Sequence, residues 1–464
     1  MSFPRYPNYK DSGVEWLGEV PGHWKVDRLK RSTVSAKNGI WGDEAQQNEN
    51  DIPCVRVADF DRQGLRVELF EPTIRNVIEK ERVGRVLTQG DLLLEKSGGG
   101  ETQPVGCVVL YDDPRPAVCS NFVARVQTAP GMDSSFWRYV HAAVYAVRLN
   151  TRSIKQTSGI QNLDASQYLD ERAGFPPLPE QTQIAAFLDR ETAKIDDLVV
   201  EQRRLMELLK EKRQAVISHA VTQGLNAHAP MKPSGIEWLG DVPAHWEVRK
   251  LNNIARLESG HTPSRQRPDY WIAGDCVIPW FTLADVGFLR NDRNTIIEST
   301  SQKISQVGIE NSSARLLPFG TVILSRTASV GFSGITNIAL AVSQDFAAWI
   351  CSGTIQPRYL LSCLRAMKPE FQRLMMGSTH QTIYMPDIEA FRVPLPPVIE
   401  QVAIADFLHS ATFKFDTLTA EAQHAIDLLQ ERRTALISAA VTGQIDVRGL
   451  GEPRECDRVD MATA

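Results

Sequence analysis

The segment KDSGVEWLGEVPGHWKV, Lys10 to Val26, returns as KPSGIEWLGDVPAHWEV from Lys232 to Val248, with twelve of seventeen positions identical. Two more stretches repeat downstream. EQTQIAAFLDR from Glu180 matches EQVAIADFLHS from Glu400, and EKRQAVISHAVTQGL from Glu211 matches ERRTALISAAVTGQI from Glu431. The first pair is offset by 222 residues and the other two by 220, while the sequence between them has diverged almost completely. The chain is therefore two halves, each a constant frame around a variable insert. Size also argues against a single core, because chains beyond about 250 to 300 residues usually divide into domains.

The back of each frame reads as a long helix. It follows a proline cluster, FPPLPEQ at Phe175 or VPLPPVIEQ at Val393, and then runs about forty residues without proline or glycine. Apolar positions step by three and four. Ile195, Leu198, Leu205, Leu209 and Val216 in the first helix, and Phe415, Leu418, Leu429 and Leu436 in the second, form the expected seam. A helix of that length, roughly 60 Å at 1.5 Å per residue, is too long for one small domain to cover. The expectation is an antiparallel coiled coil of the two sister helices, the alternative being that each packs on its own domain.

The inserts carry short apolar runs that end in polar loops, VLTQGDLLLEKSGGG from Val86 and LLPFGTVILSRTASVG from Leu316, beside stretches of helical period from Trp137 and Pro357. The fold class is α+β with an internal pseudo-two-fold repeat. The expected divisions are a first recognition domain at 1–178, a helix at 179–226, a second recognition domain at 227–398, a helix at 399–446 and a flexible tail at 447–464.

Seven scattered cysteines with no CxxC pair suit reduced thiols better than a disulfide framework or a zinc site. No run of about 18 apolar residues is present, and the cytoplasm is the expected compartment. A formal charge of −5 leaves a nucleic-acid partner open, since whole-chain charge says little about one face.

Catalytic signatures are missing. The PP pairs in FPPLPE and LPPVIE lack the polar and aromatic neighbours of an adenine methyltransferase loop, and KSGGGET at Lys96 reverses the order of a phosphate-binding GxxxxGK(S/T). His23 and His245, beside Trp24 and Trp246, occupy the same place in both repeats, so packing within the frame is the expected role of all four.

The paired EWLGxVPxHW motifs, the Pro-rich exits, the EQxxIAxFL helices and GHTPSRQRPDYWIAGDCVIPW from Gly260 together resemble the specificity subunit of type I restriction-modification enzymes. The resemblance covers nearly the whole chain. It implies a non-catalytic subunit that binds double-stranded DNA at a two-part target, one part per recognition domain. It implies two modification (methyltransferase) subunits and ATP-driven restriction subunits as partners, with S-adenosylmethionine, ATP and Mg carried by those partners and no cofactor here. The first insert shows GIWGDEAQQNENDIPC where the second has GHTPSR, so different half-sites are expected.

Reading should fall on what differs between the halves, since shared residues cannot tell two half-sites apart. Side chains that bond base edges, placed on polar loops at strand ends, are the candidates. They are Lys96, Ser97, Arg152, Lys155, Gln156, Gln161 and Asn162 in the first insert, and Ser264, Arg265, Arg267, Ser325, Arg326, His380, Gln381 and Thr382 in the second. No metal site is expected. The rival reading is a coiled-coil scaffold that gathers protein partners without reading DNA.

Overall fold

The computed structural model describes residues 3–157, 159–290, 294–375 and 381–450. The chain forms two compact units, Met1–Glu201 with Ala425–Ala464, and Gln202–His424. Helix α2 (Leu178–Gln223) and helix α4 (Val398–Val441) therefore each contribute their first half to one unit and their second half to the other. The sequence suggested cuts at the helix ends; the contacts divide the helices themselves.

In unit 1 a six-stranded sheet runs in the spatial order Thr33–Asn38, Val123–Thr128, Asp91–Glu95, Val108–Tyr111, Arg66–Val67, Phe60–Asp61. The apolar run at Leu92 to Leu94 is buried on both faces. Leu92 and Leu94 face the core shared with helix α1 (Ser134–Ala146), and Leu93 joins Val109 and Tyr111 on the other side. Such a strand has no solvent face, which is why its sequence does not alternate. Unit 2 repeats the plan with five strands, Ala255–Ser259, Phe346–Cys351, Val322–Ser325, Ser333–Thr336 and Ile296–Ile297. There Val322 and Leu324 face helix α3 (Pro357–Ala366) and Ile323 faces away. Each unit adds a smaller sheet with one parallel pairing, Cys119 to Val55 or Val342 to Phe281.

The repeated motifs meet in the frame. Glu180, at the start of α2, is almost fully buried and accepts hydrogen bonds from Tyr6 Oη (2.5 Å) and Trp24 Nε1 (2.9 Å), with His23 Nε2 at 2.7 Å. Glu400, at the start of α4, accepts from Trp246 Nε1 (2.9 Å) and lies 2.8 Å from His245 Nε2. The neighbouring amides close each helix start: Gln181 Nε2 donates to Pro176 O, and Gln401 Nε2 to Pro396 O, both at 2.9 Å. Each tryptophan also covers the far end of the opposite helix. Gly443 and Gly224, both at φ +75°, lie so close to Trp24 with Pro21 and to Trp246 that a Cβ would sit 2.3 Å from Pro21 Cδ or 3.0 Å from Trp246 Cζ2. One helix begins where the other ends, in both units.

Within each unit the two helix halves are therefore antiparallel, and an equivalent ion pair links them: Asp196 with Arg433 Nε (3.3 Å) in unit 1, Asp416 with Arg213 Nε (3.6 Å) in unit 2. The predicted seam needs correction. Ile195 and Leu436 are buried and Leu209, Val216, Phe415 and Leu429 half-buried, but Leu198, Leu205 and Leu418 are 43–50% exposed. The inward positions beside them are Val199, Met206 and Thr419, with Ala422 and Ile426 buried further along α4. Both phases step by three and four through adjacent apolar residues, and the packing selects the one that brings Arg213 and Arg433 to their aspartates.

The tail expectation also changes. Val447 is buried, Asp446 N donates to Pro4 O (2.7 Å), Tyr9 Oη to Gly443 O (2.9 Å), and Arg448 lies over the Tyr6 ring. Residues 446–450 are part of unit 1. In unit 2 the single stretch 224–231 connects the end of α2 to the strand Met231–Pro233, where unit 1 brings together two segments distant in sequence.

Candidate functional site

The central strand of each unit ends at a loop held by the same main-chain bonds. In unit 1 Lys96 N donates to Phe122 O (2.7 Å) and Lys96 O accepts from Leu163 N (2.8 Å). In unit 2 Arg326 N donates to Asp345 O (2.8 Å) and Arg326 O accepts from Ile383 N (2.9 Å). Lys96 and Arg326 are therefore equivalent positions, and so are Phe122 and Asp345.

Six of the seven candidates in unit 1 converge here. Ser97–Gly98, Ile160–Leu163 and Ile154–Thr157 form a small antiparallel sheet, in which Ser97, Asn162 and Lys155 make one cross-strand row and Gly98, Gln161 and Gln156 the next. Ser97 Oγ donates to Asn162 Oδ1 (2.6 Å), and Lys96 Nζ to Asn38 Oδ1 (2.5 Å). Burial of the Lys96 stem pulls its ammonium pKa down. Lys155 is engaged by Asp164 (2.8 Å), and that bond holds the carboxyl pKa low. Gln156 is exposed; Arg152 is also exposed, on the preceding 3-10 turn rather than in the sheet. Gln161 is the correction in this set. It is buried, and its Oε1 accepts from Val105 N (3.3 Å), a role in holding the loop rather than facing a ligand.

In unit 2 Thr327 bridges to Thr382, and Ala328 N donates to Gln381 O (2.9 Å), so Gln381 and Thr382 stand where Gln161 and Asn162 stand in unit 1. Ser325 is a second correction: it is fully buried at the strand end and faces no surface. Arg326 is half-buried, with Nη1 3.5 Å from Ile383 O. His380 lies outside the described residues. Arg265 stacks 3.7 Å above the Trp271 ring centroid, with Trp280 at 5.5 Å, and Arg267 pairs with Asp269 (2.9 Å) and stacks on Tyr270. Ser264 supplies its carbonyl to Trp271 Nε1 (3.1 Å). This loop reaches the strand-end cluster through Thr262, whose Oγ1 donates to Gln344 Oε1 (2.6 Å) beside Asp345.

Two features escaped the sequence reading. The loops after Gly39 and Gly260 start alike, because a Cβ on Gly39 would lie 2.1 Å from Cys119 O and one on Gly260 2.0 Å from Val342 O. The shared glycine was the available signal, obscured by the GHTPSR that only one half carries. The cations Lys37 and Arg85 were also missed, since sequence gives no hint that Arg85 meets the same asparagine, Asn38, that Lys96 bonds and Lys37 precedes.

Residues 243–426 match the family model for the type I restriction modification DNA specificity domain. The frame contacts inside that match, Trp246 to Glu400 and Gln401 to Pro396, recur in the first half at Trp24, Glu180, Gln181 and Pro176. The molecule is thus a duplicated protein whose two units share one specificity-domain plan. Along nearly its whole length the chain is similar to specificity subunits of type I restriction-modification enzymes. The type I restriction enzyme MjaVIII specificity subunit of Methanocaldococcus jannaschii is 23% identical over 97% of this chain and 99% of its own. The MjaIX specificity subunit of the same organism is 29% identical over 37% of this chain and 38% of its own. The HsdS subunit of Thermoanaerobacter tengcongensis shares the fold, with a TM-score of 0.53 at 16% identity over 91% of this chain and 98% of that one. A chain from a structural study of type I R-M complex assembly and conformational transition superposes with a TM-score of 0.69 at 17% identity, again over 91% and 98%. Among the described residues no helix is long and apolar enough to cross a membrane.

Proposed function

We propose that each unit reads one part of a two-part DNA sequence through the polar cluster at the end of its central strand, and that the chain acts in the cytoplasm. The observation that carries this reading is the equivalence of Lys96 and Arg326: the main-chain bonds are the same and the side chains around them differ. A shared scaffold with unlike polar ends is what two unlike half-sites require, because bases are told apart by side chains at groove edges.

The chain further docks two copies of the modification subunit. In support, outward leucines recur under the 220-residue offset: Leu198 with Leu418, and Leu208 with Leu428, each 46–53% exposed. Each unit carries one leucine from each helix, so each offers the same apolar patch to an identical partner. Restriction subunits join this assembly, and S-adenosylmethionine, ATP and Mg are held by the partner subunits.

The test is motif selection. The chain, assembled with its modification subunits, is incubated with a random duplex library, and the methylated duplexes are sequenced. A two-part motif is the expected result. Exchanging Arg326 for Lys should alter one part only, and a library with no enriched motif would leave the scaffold reading in its place.

A further inference from the structure

The last residue of the strand Thr33–Asn38 is the centre of an unpaired positive cluster. Asn38 accepts twice, its side-chain oxygen from Lys96 Nζ (2.5 Å) and its main-chain oxygen from Arg85 Nε (3.2 Å). Lys37 Nζ donates to Val83 O (2.7 Å), and Arg85 Nη1 to Glu81 O (2.8 Å). All these acceptors are neutral. Most other cations in the variable insert of unit 1 lie against carboxylates: Arg56 with Asp59, Arg62 with Glu95, Arg115 with Asp113, Arg125 with Asp91 and Lys155 with Asp164. Among the described residues Lys37, Arg85 and Lys96 have no carboxylate within ion-pair distance, although Glu81 is close enough to lend Arg85 its carbonyl.

A cation bonded to a main-chain carbonyl keeps its whole charge and loses most of its rotamer freedom before any ligand arrives. Both effects favour an anion that replaces water at the same spot. Phe122, 49% exposed, gives its carbonyl to Lys96 N and Ser97 N, so an apolar ring edges the same cluster. Unit 2 differs at the matching positions: Arg315 and Arg326 stand where Arg85 and Lys96 stand, but Lys37 is replaced by Glu258, Asn38 by Ser259 and Phe122 by Asp345, whose carboxylate accepts from Ser343 Oγ (2.8 Å).

The geometry points to Lys37, Arg85 and Lys96 as a phosphate grip in unit 1, a set of backbone contacts that fixes the register of the duplex for the base-reading row at Ser97 and Asn162. This rests on the proposed DNA-reading function and assigns the two units unequal shares of phosphate binding. Phosphate contacts carry affinity and salt dependence without sequence information, each contributing roughly 0.9 to the slope of log K against log salt.

The experiment measures that slope for the chain assembled with its modification subunits, on the duplex recovered by motif selection. Lys37→Gln with Arg85→Gln is expected to flatten the slope by about 2 and weaken binding about tenfold at low salt, with the methylated motif unchanged. Lys37→Gln alone, which removes one bond to Val83 O and leaves the Arg85 loop intact, should flatten it by about 1. Lys10→Gln, on the exposed strand Tyr9–Asp11, serves as the control and should leave the slope as it is. Sequence-specific binding by the parent with unchanged slopes in both variants overturns the grip and leaves the reading function standing. A changed motif in either variant also overturns it, because the residues would then be reading bases. Absence of any salt-dependent binding by the parent overturns the grip together with the function on which it rests.

Discussion

Unit 1 and unit 2 hold their central-strand ends with matching hydrogen bonds, yet unit 1 buries an acid there and unit 2 a hydroxyl. Glu95 is fully buried against Arg62 (2.7 Å), whereas Ser325, its counterpart, presents a small side chain to the interior. The lysine of unit 1 bonds a neutral amide beside an exposed phenylalanine, and the arginine of unit 2 has an aspartate next to it. The difference teaches where variation is tolerated. Main-chain geometry is set by the frame and by the glycines that admit close carbonyls, while the side chains at the strand end and beneath it are free to diverge as sets.

The frame itself is unequal, and removing its carboxylates should show this most strongly. Glu180→Ala orphans the Tyr6 hydroxyl and the Trp24 indole N–H inside the protein, a loss of about 4 kcal/mol at roughly 1–3 per buried group. Glu400→Ala orphans the Trp246 N–H at a site where the carboxylate is 41% exposed, and about 1 kcal/mol is expected. The position matching Tyr6 is His228, which is exposed and cannot shield Glu400. Denaturant unfolding of the two variants measures the gap, and equal losses would break the comparison.

A second asymmetry is pH-dependent. His141 in α1 is buried, with Nδ1 2.7 Å from Tyr168 Oη, and burial pushes its pKa down to about 4 from 6.5. Counted from the first helical residue, its counterpart in α3 is Leu364, and the counterpart of Tyr168 is Ile388. In the folded chain His141 stays neutral until about pH 4, whereas the unfolded chain takes up the proton near 6.5. Stability from this site is therefore complete above 6.5, declines as pH falls toward 4 and is level below, a change of about 3 kcal/mol. His141→Leu with Tyr168→Ile installs the apolar pair of unit 2. It is expected to leave stability at pH 7 nearly unchanged, because both partners go together, and to remove this decline. Unfolding curves at pH 7 and pH 4.5 check both outcomes.

The smallest effect concerns the helices. Leu198→Ser and Leu418→Ser, at exposed positions, should each change stability by less than about 0.5 kcal/mol, while Val199→Ser, one residue inward, should cost about 2 kcal/mol. Similar losses at 198 and 199 would return the seam to its predicted phase. The same leucine variants sharpen the docking proposal, since both are expected to weaken capture of the modification subunit in pull-down with little change in unfolding.

The repeats made the frame legible from sequence. Two tryptophans, two histidines and two EQ pairs at constant offsets are one solution written twice, and the structure joins them through Glu180 and Glu400. The seam phase was not legible, because Leu198 and Val199 are equally apolar and only the partner surface distinguishes them. At the reading ends, loop polarity located Lys96, Ser97 and Asn162, but it gave no information on depth: Gln161 and Ser325 are polar residues that the fold turns inward. Lys37 and Arg85 went unnoticed because their importance comes from what they lack, a nearby carboxylate, and that is a property of space rather than of order along the chain.

Residues 4–9 and 443–450 lie against each other in unit 1, in the place that unit 2 fills with one uninterrupted stretch from 224 to 231. The architecture is accordingly indifferent to where the polypeptide is opened. A rearranged gene that splices the first site shut and nicks the second would preserve every tryptophan-to-carboxylate clasp, and the order in which the two readers are translated would be inverted at no cost to either.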